Sequence, residues 1–244
     1  MHRLASMTSS GLGVVMYGYD TYGRLESIEL GETVNGVWTV HNKYNLTYNS
    51  WNQPETTVVG KTENNEITLS TNSYDPYNRL STVTYANGLS ARYEYDDLDR
   101  VSKIYQTENN TEALIYEMIY NGEGDLYEIR NFRTNRASFF EYDHAGRCMA
   151  SKERSFTFTE NNGVYTIQSY GAILSSYGYQ YDECNSLTKL TCSVAGSAWS
   201  TVYTYDNDNR PSTTTLSSGK VVTVKGTALL THSDTDGSIM RRFF

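Results

Sequence analysis

The sequence is poor in the residues on which catalysis, metal binding and membrane insertion usually depend. Its three cysteines, Cys148, Cys184 and Cys192, are odd in number and form no CxxC pair. That excludes a disulfide framework or a zinc site and leaves small buried or half-buried side chains. The four histidines, His2, His41, His144 and His232, lie far apart, and no GxSxG, P-loop or dinucleotide fingerprint occurs. No stretch approaches the ~18 apolar residues of a membrane span. The N-terminal MHRLASMTSSGLG lacks the apolar run of a signal peptide, so an export signal is expected outside this sequence. There are 20 basic against 28 acidic residues, a formal charge of −8. The basic residues are scattered rather than striped, which argues against nucleic acid and against an anionic membrane surface as partners. With three prolines in 244 residues and no Pro-rich or charged linker, the chain reads as one continuous array over 1–244.

What the chain has instead is tyrosine, 22 of them, well above ordinary usage. Tyr, Thr and Val stand between clusters of Asn and Gly, which points to an all-β protein. The stretch YEYDDLDRV, residues 93–101, has the charge and aromatics of an active site, but it recurs. Aligned copies are YDTYGRL (19–25), YNSWNQP (48–54), YDPYNRL (74–80), YDDLDRV (95–101), YNGEGDL (120–126), YDHAGRC (142–148), YDECNSL (181–187), YDNDNRP (205–211) and the worn SDTDGSI (233–239). Copies 21 to 39 residues apart describe a modular repeat.

Each column of the repeat has a physical reason. The first holds Tyr19, Tyr48, Tyr74, Tyr95, Tyr120, Tyr142, Tyr181 and Tyr205. A second ring often stands two residues earlier (Tyr17, Tyr93, Phe140, Tyr179, Tyr203), on the same strand face, so a stacked ring stripe is expected. The second column is Asp or Asn throughout: Asp20, Asn49, Asp75, Asp96, Asn121, Asp143, Asp182, Asp206 and Asp234. Such a side chain caps the N–H groups of a tight turn. The fifth reads Gly23, Asn52, Asn78, Asp99, Gly124, Gly146, Asn185, Asn209 and Gly237, types that tolerate positive φ, as a type I turn closed by a left-handed residue requires. The sixth is arginine in five copies, Arg24, Arg79, Arg100, Arg147 and Arg210, expected to cover the rings. The seventh is usually apolar and opens the next strand. This crowd of charge is turn architecture.

A second set of turn signals lies between the copies: Asn35-Gly36, Asn64-Asn65, Asn87-Gly88, Asn109-Asn110, Thr134-Asn135, Asn162-Gly163, Ala195-Gly196 and Ser218-Gly219. Alternation of the two sets predicts a long antiparallel meander of roughly 18 strands. Residues 149–180 are its irregular part, with room for an extra hairpin at Tyr170-Gly171.

Other chemistry is weak. His144 sits in a turn column where Asp, Pro, Asn and Thr serve in other copies, so a catalytic role is not expected. The H-S-D run at 232–234 is adjacent in sequence and could not form a hydrolase triad by itself. Asp206/Asp208 and Asp234/Asp236 have the spacing of calcium loops but lack the distal bidentate acid; after Asp206 its position is Ser217. No catalytic, cofactor-binding or metal-binding residue is therefore expected. Stacked tyrosines with Trp38, Trp51 and Trp199 leave a carbohydrate platform open.

The pattern Y-x-Y-D-x-x-G-R-L, with YANG upstream of YEYD at 85–96, resembles the YD repeat of the Rhs family, also found in the C component of insecticidal toxin complexes and in teneurins. The resemblance runs from about Tyr17 to Ile239. It implies β-hairpins that spiral side by side into a hollow shell, which in bacterial members encloses a C-terminal toxin and in teneurins is an adhesion scaffold. The segment that closes the repeat region in the family has no counterpart here, so its aspartic self-cleavage site is carried over to no residue. The expectation is a non-enzymatic piece of shell wall, secreted or at a cell surface, whose partners are the remaining shell and an enclosed toxin. The alternative is a surface adhesin or carbohydrate-binding scaffold on the same repeat.

Overall fold

The computed structural model describes residues 4–9, 13–60 and 65–223. The ninth repeat copy, with Asp234, Asp236 and Gly237, lies outside the described residues, as do His2, His232 and Asn64. The chain groups into two compact units, Met1–Ile115 and Tyr116–Phe244.

In the first unit, Asn and Gly clusters interrupt runs rich in Tyr, Thr and Val. The runs fold as β1 (Ser6–Ser9), β2 (Gly13–Tyr19), β3 (Leu25–Val34), β4 (Val37–Tyr48), β5 (Pro54–Val59), β6 (Ile67–Tyr74), β7 (Leu80–Tyr85), β8 (Ser90–Tyr95) and β9 (Val101–Glu108). Each pairs antiparallel with the next. The strand β10 (Thr111–Tyr120) holds the boundary between the units.

The second unit continues with β11 (Leu126–Asn131), β12 (Arg136–Tyr142), β13 (Cys148–Asn161), β14 (Val164–Tyr181), β15 (Leu187–Val194), β16 (Ser197–Tyr205), β17 (Pro211–Leu216) and β18 (Val221–Thr223). From β10 to β18 each strand again pairs antiparallel with its successor. The protein is an all-β antiparallel meander.

Among the described residues the turns between repeat copies are of three kinds. At Asn35-Gly36, Asn109-Asn110, Asn162-Gly163 and Ala195-Gly196 both residues have positive φ, the two-residue type I′ hairpin. Around Asn87-Gly88 and Ser218-Gly219 the bonding is that of the repeat turns themselves: Tyr85 N–H donates to Leu89 O and Gly88 N–H to Tyr85 O. Between β11 and β12 a longer loop ends at Asn135, with φ +55°. Loop length selects the type, and each loop places Asn, Gly or, once, Ala where the chain turns left-handed.

The extra hairpin expected at Tyr170-Gly171 does not form. Instead β13 and β14 make one long hairpin about Asn162-Gly163, with register shifts at Glu153/Arg154, Arg154/Phe156 and Thr157/Phe158. Gly171 lies inside β14, where a Cβ would stand 2.3 Å from Ser155 Oγ. It serves close approach of two strands rather than a turn.

Little is buried. Among the described residues the buried apolar side chains are Val83 and Leu114 in the first unit, and Phe132, Ala137, Phe156 and Cys192 in the second. The densest packing is where Phe132 meets Phe156, Phe158 and Tyr165 edge-on at centroid distances of 5.3, 5.1 and 5.0 Å. Beside it Glu128 is buried and accepts from Arg130 Nε at 2.9 Å and from the Tyr170 hydroxyl. Arg130 also reaches Glu117 at 2.8 Å. Burial, then the bond to Glu128, pushes the Tyr170 phenol up to about 12. This network fixes the base of the long hairpin and leaves no buried side-chain polar atom unpaired among the described residues, as burial of charge demands.

Candidate functional site

The repeat columns converge on one bonded array, built first inside each turn. The second-column oxygen accepts the N–H groups two and four residues on. Asp75 Oδ1 takes Tyr77 and Arg79, both at 2.9 Å. Asp96 takes Leu98 and Arg100, Asp143 takes Ala145 and Arg147, Asp182 takes Cys184 and Ser186, and Asp206 takes Asp208 and Arg210. Asn49 and Asn121 do the same with an amide oxygen. Asp20 Oδ1 takes Arg24 N–H at 2.8 Å.

The fifth residue then turns left-handed in all eight described copies, with φ +84° at Gly23, +64° at Asn52, +63° at Asn78, +61° at Asp99, +98° at Gly124, +74° at Gly146, +66° at Asn185 and +59° at Asn209. After each turn the register slips by one residue at the tyrosine, as at Gly18/Tyr19 and Glu94/Tyr95. This is a β-bulge, which locally sharpens strand twist.

Where Asp is followed by Arg four positions on, the other oxygen binds that arginine's Nε: 2.6 Å for Asp20–Arg24, 2.7 Å for Asp75–Arg79, 2.8 Å for Asp96–Arg100, 2.7 Å for Asp143–Arg147 and 2.9 Å for Asp206–Arg210. The carboxyls respond. At Asp96 and Asp143 the arginine side chain, the largest influence, holds the carboxyl below its ordinary range. At Asp206 the Arg210 backbone N–H leads. At Asp20 and Asp75 partial desolvation pushes up, but the arginine contacts together outweigh it and the net shift is downward.

The remaining groups reach the next copy. Tyr48 donates its hydroxyl to Leu25 O at 2.7 Å, Tyr74 to Pro54 O at 2.6 Å and Tyr95 to Leu80 O at 2.7 Å. In the second unit Tyr142 donates to Leu126 O, Tyr181 to Cys148 O and Tyr205 to Leu187 O, at 2.9, 2.9 and 2.8 Å. Each acceptor is the seventh-column carbonyl of the preceding copy, next to its bulge. Tyr19, in the first copy, donates to Leu4 O at 2.9 Å.

The sixth-column side chain reaches the next turn in the same direction. Arg24 donates to Asn52 Oδ1 at 2.7 Å, Arg79 to Asp99 Oδ1 at 2.5 Å and Arg147 to Asn185 Oδ1 at 2.8 Å. Gln53 and Ser186 replace arginine with other donors, to Asn78 O at 2.6 Å and Asn209 Oδ1 at 2.7 Å. The guanidiniums of Arg24, Arg79 and Arg147 lie over the next copy's tyrosine, 4.4 Å from the ring of Tyr48, 4.4 Å from Tyr95 and 4.9 Å from Tyr181. Arg210 binds Asp206 and Asp208 within its own turn. Arg100 and Tyr120 also have bonding partners.

Thus arginine covers rings, the repeat tyrosine of the following copy and, for Arg24 and Arg79, also Tyr22 and Tyr77 of its own turn, and the tyrosine acts through its hydroxyl as much as its ring. The type of the sixth residue hints at a donor; nothing in the sequence says which carbonyl the phenol finds. Within the first unit Trp38 and Trp51 belong to different elements. Trp38 stands near the start of β4 and Trp51 in the turn that follows that strand, Trp38 bonding Glu29 at 3.2 Å, and Trp199 belongs to β16 of the second unit. Among the described residues no cluster of His, Cys, Asp and Glu could hold a metal ion, and no helix is long and apolar enough to cross a membrane.

No curated protein sequence matches the chain. Its fold is similar to that of the TcdB2-TccC3 complex without its hypervariable C-terminal region, at TM-score 0.57 and 17% identity over 84% of this chain. It is similar to TcdB2-TccC3 at TM-score 0.54 and 13% identity over 93%, and to the Photorhabdus luminescens Tc holotoxin pore at 0.53 and 14% over 93%. The chain spans only 10 to 13% of the length of those chains. The RHS Repeat family model matches residues 74–111, a span holding the third and fourth copies. Residues 74–111 therefore match an RHS repeat, and the other described copies resemble it in sequence pattern and in the bonds that tie copy to copy.

Proposed function

We propose that the chain is a non-enzymatic wall segment of an Rhs-type shell that encloses a toxin or other effector polypeptide, secreted or displayed at a cell surface. The observation that carries this reading is the directional tie between copies. Six of the first-column tyrosine hydroxyls bond the preceding copy and five sixth-column side chains bond the following one, so a wall can lengthen repeat by repeat without a central core. The small number of buried apolar side chains fits a sheet stabilised along its length rather than by a second layer. Fold similarity to toxin-complex proteins that are far longer than this chain supports a role as part of a larger wall.

The test is electron microscopy of particles purified from cells that express the chain with its native flanking coding sequence. The reading predicts a closed shell with polypeptide density inside. An array that stays open, or a shell that is empty in every class, contradicts it.

A further inference from the structure

Where a described fifth-column residue carries a side-chain oxygen, that oxygen normally accepts from the preceding copy. Asn52 takes Arg24, Asp99 takes Arg79, Asn185 takes Arg147 and Asn209 takes Ser186. Asn78 is the exception. The sixth residue before it is Gln53, whose amide ends instead on the Asn78 backbone carbonyl, and Asn78 Oδ1 has no donor among the described residues. At this junction no described guanidinium covers the Tyr74 ring, whereas Tyr48, Tyr95 and Tyr181 each have one at 4.4, 4.4 and 4.9 Å. The second copy also has Asn49 where the arginine-bearing copies have Asp, so both halves of the Asp–Arg pair are replaced by neutral residues.

Beside this junction, within the first unit, lies an open cleft of about 550 Å³. Several polar groups on its wall are already engaged. Asn49 is bonded through both its oxygen and its nitrogen, Asn72 and Tyr74 donate to Pro54 O, and Asp75 is held by Tyr77 and Arg79. The Glu55 carboxylate, the Ser73 hydroxyl and the Asn78 amide also border it, and these have no partner among the described residues.

We propose that this cleft binds the guanidinium of an arginine side chain presented by a partner polypeptide. The occupant is read from the sister junctions of the same fold. At Arg24, Arg79 and Arg147 a guanidinium lies over the next copy's tyrosine and donates to the fifth-column Oδ1. The second junction keeps both of these partners, Tyr74 and Asn78 Oδ1, but its own sixth residue is too short to carry a charge to them. Glu55 brings the carboxylate that Asn49 does not, and it has no cation of its own. A planar, forked cation satisfies a ring face, an amide oxygen and a carboxylate together, by cation–π attraction and charge-assisted hydrogen bonds. An ammonium is a compact point charge and matches that set less well.

The probe is Nα-acetyl-arginine amide, titrated into the full chain at constant ionic strength and read at the indole N–H resonances of Trp38, Trp51 and Trp199. Trp51 borders the cleft, so its signal alone should move, saturably, with a Kd on the order of 1 mM. Nα-acetyl-citrulline amide, of the same shape without the charge, and methyl glucoside should leave it in place. Glu55→Gln should weaken binding at least about fivefold. Asn49→Asp with Gln53→Arg restores the Asp–Arg pair within the chain. That variant should keep the parent's circular dichroism, melt no lower and no longer respond to the probe. No saturable shift of Trp51, equal binding of the citrulline compound, or a response that Glu55→Gln and the restored pair both leave intact overturns the inference. A saturable shift with methyl glucoside also overturns it and reassigns the cleft to a sugar.

Discussion

Arg79 lies over the ring of Tyr95, 4.4 Å from its centroid, while Tyr95 donates its hydroxyl to the carbonyl of Leu80, the residue after Arg79. The two contacts join the third and fourth copies from both sides. Removing only the hydroxyl leaves the ring packing and strips the Leu80 carbonyl of its donor. Tyr95→Phe is expected to cost about 1 kcal/mol. Tyr77→Phe, in an exposed ring of the same repeat, should be close to neutral. Thermal denaturation of the two variants side by side checks this; equal midpoints would remove the hydroxyl from the account.

At Gly146 a Cβ would meet nothing within 4 Å, but φ is +74°, so a side chain there is opposed by backbone strain alone. Gly146→Val should destabilise by about 1–2 kcal/mol or more. Asn78→Gly, at φ +63°, should be neutral or slightly favourable. Urea midpoints that move equally would contradict the left-handed assignment of this column.

The ladder predicts a stability plateau with two edges. Asp20, Asp75, Asp96, Asp143 and Asp206 titrate lower in the fold than in the open chain. On acidification the unfolded state therefore binds protons first. Their contribution is complete above about pH 4 and is lost as pH falls through the folded values. Burial, the largest cause in each case, raises the phenols of Tyr95, Tyr142, Tyr181 and Tyr205. The unfolded state then loses protons first, and stability declines from about pH 10 upward. Thermal midpoints across the pH range should be nearly flat from about pH 5 to 9 and fall on both sides; a steep slope within that window would contradict the assignment.

The thiols should behave as three separate groups. Cys184 is exposed in its turn, Cys148 is half-buried and Cys192 is buried beneath the sheet surface, all unpaired. Burial also pushes the Cys148 thiol up, which lowers its reactive thiolate fraction. Iodoacetamide at neutral pH should label Cys184 first and Cys192 only after unfolding. Rapid labelling of Cys192 in the native protein would show that its strand opens.

The strands and turns were legible because they are local. Asp75 caps atoms two and four residues away, and Asn78 needs only its own φ, so each repeat carries its instructions within seven positions. The bonds that join copies were not legible, because Tyr48 and Leu25 lie 23 residues apart and a phenol gives no sign of which carbonyl it meets. Tyr170-Gly171 misled for a similar reason. A glycine that admits a neighbouring strand at Ser155 looks in sequence like a glycine that turns the chain.

The central claim is that copies are coupled to their neighbours through arginine and tyrosine together. A double-mutant cycle tests it most directly: Arg79→Ala with Tyr95→Phe, against Arg79→Ala with Tyr205→Phe, each measured by urea denaturation. Groups that share partners should couple by at least about 0.5 kcal/mol, whereas independent sites add to within about 0.3–0.5 kcal/mol. The account predicts that Arg79 and Tyr95 couple and that Arg79 and Tyr205 add. Additivity in both cycles would mean that the ladder is a set of independent turns, and the wall would have to be held together by the strand pairing alone.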